Sequence, residues 1–106
     1  MSVFARKVLV SRLRKAEGHV TRRIAGETII VPVRGGVGDL DSIYTLNEVG
    51  TKIWGLLDGK TGVDEIVRSI AGEHDVTEEE AARDVAEFLT ELEERGLVRP
   101  TAANEN

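Results

Sequence analysis

The chain has 106 residues, 41% of them hydrophobic and 31% charged, with a formal net charge of −5 and no cysteine. That length supports one modest core, and the absence of cysteine excludes disulfides and thiolate-bound metals. No apolar run approaches the roughly 18 residues that a membrane-spanning helix needs.

Phe4, Tyr44, Trp54 and Phe88 are the only aromatic residues, too few for platforms that stack bases or sugars. Charge is unevenly spread. Residues 1–36 hold Arg6, Lys7, Arg12, Arg14, Lys15, Arg22, Arg23 and Arg34 against only Glu17 and Glu27, so the negative excess lies downstream. The start, Met1 to Lys7, has neither the apolar length nor the cleavage site of a secretory signal, which makes the cytoplasm the expected location.

Residues 1–18 form a basic N-terminal extension without a clean period, and Val8, Leu9, Val10 and Leu13 fit a short helix or a strand. From His19 the pattern is extended. His19–Ala25 and the β-branched run Thr28–Val33 flank Gly26, the signature of a hairpin. Pro32 cannot donate a ladder hydrogen bond and is expected at a strand end or an unpaired edge. Gly35–Asp39 reads as a flexible loop, and Ser42–Leu46 as a third strand completing an antiparallel meander.

Three helices are predicted next. Asn47 caps the first, which carries Val49, Ile53, Leu56 and Leu57 on one face and stops at Gly59. Thr61 is expected to cap the second, with the stripe Val63, Ile66, Val67 and Ile70 and Gly72 near its end. Thr77-Glu78-Glu79-Glu80 reads as a capping box before the third. That helix turns Ala81, Val85, Phe88, Leu89 and Leu92 inward, and Gly96 ends it before a short strand at Leu97-Val98. Residues 101–106 read as a frayed tail. The expected fold is α+β: a three-stranded antiparallel sheet followed by a three-helix bundle, in a winged helix-turn-helix-like arrangement over residues 19–100.

No residue set points to catalysis, and none to a cofactor. His19 and His74 are the only imidazoles and have no helical pairing. Glu73-His74-Asp75 are adjacent and point in different directions, unlike a tetrahedral metal site. Gly35-Gly36-Val37-Gly38 lacks the following Lys-Ser/Thr and helix of a phosphate cradle. The second and third helices are acidic on their polar faces, which opposes the phosphate backbone of nucleic acid.

Around the third strand and first helix the residues become specific. Leu46-Asn47, Gly50, Ile53-Trp54, Leu57-Asp58-Gly59 and Thr61 resemble the pattern of the PqqD family, the peptide-recognition elements of ribosomally made, modified peptides. The likeness continues through Ile66-Val67, His74-Asp75-Val76, Phe88-Leu89, Leu92 and Gly96-Leu97. It implies a non-catalytic peptide chaperone that binds the leader of a precursor peptide and presents it to a modifying enzyme, often a radical S-adenosylmethionine (radical SAM) enzyme. It also implies that the leader adds as a strand to the edge of the third strand and rests against the third helix. Carried over, Ser42, Ile43, Tyr44, Thr45 and Leu46 supply that edge. Val85, Phe88, Leu89 and Leu92 line the groove, with Arg83 and Glu87 at its rim.

Phe88, Leu89 and Leu92 also fall at core spacing, and the sequence leaves both roles open. The resemblance assigns nothing to the basic extension, whose expected roles are docking an acidic partner, covering the edge strand or exchanging between subunits of a swapped homodimer. The rival reading is a structural or regulatory protein–protein interaction domain, with a winged-helix DNA-binding regulator behind it.

Overall fold

The computed structural model describes residues 12–101. In chain order the strands are β1 (Arg12–Lys15), β2 (His19–Ile24), β3 (Glu27–Arg34), β4 (Val37–Gly38), β5 (Tyr44–Leu46), β6 (Asp58–Gly62) and β7 (Val98–Pro100). The helices are α1 (Glu48–Gly55), α2 (Val63–His74) and α3 (Glu78–Glu94). The architecture is α+β, with antiparallel sheets packed against three helices. Among the described residues no helix is long and apolar enough to cross a membrane.

The principal sheet is built around β3, which pairs β2 on one side and both β5 and β4 on the other. Ala25 and Gly26 close the β2–β3 hairpin with φ of 52° and 83°. Two consecutive positive φ values define the turn whose twist matches the flanking strands, and glycine adopts the second without steric cost. Pro32 lies inside β3 rather than at its end. The Val33 amide donates to Gly18 at 2.8 Å, so the neighbouring Pro32 nitrogen faces the other side. There β5 has ended at Tyr44 and β4 begins opposite Val33, so no ladder bond is lost. The segment expected as a loop at Gly35–Asp39 contains β4, folded back on Val33 and Arg34.

Beyond the expected three-stranded meander there is a second sheet, in the order β6–β1–β7. It draws Arg12–Lys15 into the body of the fold through Leu13, which is buried, so the ordered domain begins before residue 19. Thr101 donates its amide to Arg12 and its hydroxyl to Gly59, so it is anchored to this sheet. The remainder of the basic extension, residues 1–11, and of the tail, residues 102–106, lies outside the described residues.

Helix limits differ from expectation in two places. Helix α1 ends at Gly55, because Asp58–Gly62 is recruited as a strand by β1. Helix α2 starts at Val63, with Gly62 at the cap position and so no side-chain cap. Thr61 instead donates its amide and hydroxyl to the Asp58 carboxylate at 2.7 and 3.0 Å. The Leu57-Asp58-Gly59 and Thr61 motif thus builds a turn rather than a helix cap. The caps at Asn47 and Thr77 form as expected, accepting from the amides of Gly50 and Glu80. One core runs through Leu13, Ile30, Leu46, Ile53, Leu57, Ile66, Leu89 and Leu92.

Candidate functional site: an open strand edge beside a groove

Register decides which parts of β5 are available. Residues Thr28 and Ile30 of β3 turn their main chain toward β5, opposite Leu46 and Tyr44. Between them Thr45 must turn its N–H and C=O the other way, because main-chain direction alternates along an antiparallel strand. No described residue pairs with that outer margin. Side chains alternate as well: Leu46 is buried and Tyr44 half-buried toward the helices, while Thr45 is exposed on the opposite face.

The open margin borders a groove of about 440 Å³ between β5 and α3. Its apolar surface comes from Val49 and Ile53 of α1, Ile70 of α2, and Ala81, Val85 and Phe88 of α3. Asp84 and His74 supply charge and polarity at its wall. Gly50 sets the depth: a Cβ there would stand 3.2 Å from Phe88 Cζ and 3.3 Å from Leu46 Cβ. A side chain at position 50 would push Phe88 into the space.

Tyr44 marks one end. The Arg95 guanidinium lies 4.5 Å from its ring centroid. Burial, reinforced by the Glu91 carboxylate, raises the phenol above its ordinary pKa. Just ahead of Tyr44, Ser42 belongs to a 3-10 turn, Leu40–Ser42, rather than to the strand, and its hydroxyl donates to Asp39 at 2.9 Å. That bond and the Arg34 guanidinium hold the Asp39 carboxyl below its usual range.

Of the residues expected at the site, Tyr44, Thr45, Leu46, Val85 and Phe88 come together at the groove. Ile43 is 43% exposed beside them. Leu89 and Leu92 are fully buried on the core side of α3. Arg83 and Glu87 are exposed outside the lining, and Arg83 lies 4.0 Å from its neighbour Asp84. Sequence reasoning did not place Ile53, Ile70, His74, Val76 or Asp84 at the groove, where the packing of the three helices brings them to the same space. Among the described residues no cluster of His, Cys, Asp or Glu is arranged to hold a metal ion.

The family model described as coenzyme PQQ synthesis protein D (PqqD) matches residues 27–98, and the chain belongs to this family. No curated protein matches the sequence. Among solved structures, the chain is similar to TbiB1 in complex with the TbiA(beta) leader peptide. The two share 27% identity and a TM-score of 0.69, over 81% of this chain and 94% of that one. It also resembles the lasso peptide synthetase B1 complexed with the leader peptide, at 20% identity and a TM-score of 0.71 over 85% and 100% of the two chains. The second likeness is one of fold.

Proposed function

We propose that this chain binds the leader segment of a ribosomally made precursor peptide as an added strand beside Ile43–Leu46, Ser42 being held in the preceding 3-10 turn, and presents it to a modifying enzyme. The observation that carries this reading is the outward-facing main chain of Thr45, bordering a groove floored by Val85 and Phe88. An unpaired strand edge is a template for another backbone, and its main-chain bonds give affinity while adjoining pockets select side chains. Each added bond contributes about 0.5–1.5 kcal/mol net. Family membership and the likeness to TbiB1, itself solved with a leader peptide, support the same assignment.

In this role the chain contributes no catalytic group. It positions a substrate in the cytoplasm for a maturation enzyme, of which the radical SAM class is the one that the family likeness carries. Ile43 and Thr45 line the edge, Tyr44 and Leu46 close its inner side, and Val85 and Phe88 receive the inward side chains of the peptide. Leu89 and Leu92 act behind them by fixing α3.

The test is a titration of the isotopically labelled chain with the leader of a precursor encoded beside it. The amides of Ile43 and Thr45 should shift and become protected from exchange. Binding that leaves both amides unchanged would overturn the strand-addition reading.

A further inference from the structure

The principal sheet has helices on one face only. Cross-strand pairing places Val20, Arg22 and Ile24 of β2 beside Val31, Ile29 and Glu27 of β3, and Ile29 beside Thr45 of β5. Directly opposed residues share a face, so these side chains and Val33 all point away from the helices. The inner face is the other set: Thr28 and Ile30 enter the core, and His19 meets Trp54 with ring centroids 5.4 Å apart.

An antiparallel sheet with one solvated face ordinarily alternates apolar inward with polar outward. Here the outer face is mostly β-branched aliphatic. Val20 is 48% exposed and Ile24 59% exposed, and Ile29, Val31 and Val33 lie half-buried between them. A contiguous apolar face of this kind marks a surface that another molecule covers. Its only charges on β2 and β3 are Arg22 and Glu27, one of each sign on adjacent strands. Both are exposed, and neither forms an ion pair among the described residues.

We propose that this face packs against the same face of a second copy of the chain. A two-fold interface must be self-complementary, with residue i meeting j and j meeting i. An aliphatic field carrying one cation and one anion meets that requirement, because Arg22 of each copy can face Glu27 of the other. Two such sheets stacked face to face form a sandwich with a shared apolar layer. The inference goes beyond leader binding, and the two are compatible. The groove lies on the helix side of the sheet and the outward main chain of Thr45 lies in the sheet plane, so stacking of the outer faces leaves each copy its own peptide site.

Sedimentation velocity of the full chain, run as a concentration series, tests the proposal. A reversible dimer is expected. Arg22→Glu and Glu27→Arg should each weaken it at least tenfold, and the double exchange should restore most of the loss. Ile24→Lys should give a monomer whose thermal midpoint equals that of the parent chain diluted to its monomeric form, since its side chain leaves the core untouched and only the dimer's mass-action stabilisation is lost. A full chain that stays monomeric throughout the series overturns the proposal. So does a dimer indifferent to all three single variants, which would place the contact elsewhere, residues 1–11 included. Leader titration of the Ile24→Lys variant separates the two readings: intact binding by a monomer leaves the peptide site standing on its own.

Discussion

The guanidinium of Arg95 lies over the ring of Tyr44 at 4.5 Å, joining the end of α3 to the margin of β5. Contacts of this kind contribute about 0.5–1 kcal/mol at exposed sites. Their larger effect here is positional, since the ring forms one end of the groove.

Tyr44 is the only tyrosine, so its ionisation is readable by ultraviolet absorbance alone. Burial and the Glu91 carboxylate raise its pKa from the ordinary 10.0, while the Arg95 charge lowers it. Glu91→Gln should therefore bring the tyrosinate transition to lower pH than in the parent chain. Arg95→Ala should move it higher. Identical titration curves in all three proteins would show that Tyr44 lies away from both groups in solution.

The hydroxyls of Thr28 and Thr51 meet at 2.9 Å inside the core, linking β3 to α1. Thr51 Oγ1 also donates to the Leu46 carbonyl at 3.4 Å, which assigns Thr28 as the donor to Thr51. Thr51→Val leaves a buried hydroxyl without its partner and should cost about 1–3 kcal/mol in chemical denaturation. The Thr28→Val/Thr51→Val double variant should lose clearly less than the sum of the single losses. Strict additivity would mean that the two hydroxyls are not coupled.

The legible parts of this fold are those governed by local rules. Asn47 and Thr77 announce helix starts because short polar side chains satisfy free amides wherever they precede a helical run. The Gly26 hairpin is equally local. What the sequence conceals is pairing at long range: Arg12–Lys15 becomes a strand only because β6 and β7 meet there, and nothing within those four residues encodes partners so distant. Thr61 departs from its expected capping role for the same reason. Its spacing to Val63 suits a helix cap, but strand pairing of Asp58–Gly62 with β1 turns it toward Asp58 instead. At the groove, periodicity put Val85, Phe88, Leu89 and Leu92 on one stripe and could not divide it. Packing does so, leaving Phe88 half-buried at the groove and placing Leu89 and Leu92 in the interior.

Asp58 gives the turn after α1 a defined pH signature. The amides of Thr61 and then Lys60 donate to its carboxylate and lower its pKa from 3.8 to about 2. A carboxyl whose folded pKa is depressed contributes stability above its unfolded value and loses that contribution as pH falls through the folded one. Between about pH 4 and about pH 2 the parent chain should thus lose stability more steeply than Asp58→Asn, which has no proton to take up there. Thermal melts across that window measure the difference, and Asp39 cancels because it is present in both proteins. Parallel curves would remove the link between this carboxylate and folding.

Phe88 and Leu89 are adjacent on α3, and their truncations should have opposite consequences. Leu89 is fully buried, and Leu89→Ala should cost about 2–5 kcal/mol through lost burial and the cavity left behind. Phe88 is only half-buried at the groove, so Phe88→Ala removes less packed surface and should destabilise the chain by less than Leu89→Ala. Leader binding should follow the reverse order. Phe88→Ala should weaken the complex several-fold while the free chain stays folded, and Leu89→Ala, measured below its melting temperature, should retain near-parental affinity. Calorimetric titration of both variants beside denaturant curves provides the two measurements. Affinity that tracks stability in both variants would mean that Phe88 works as core, and that the groove does not end where its side chain begins.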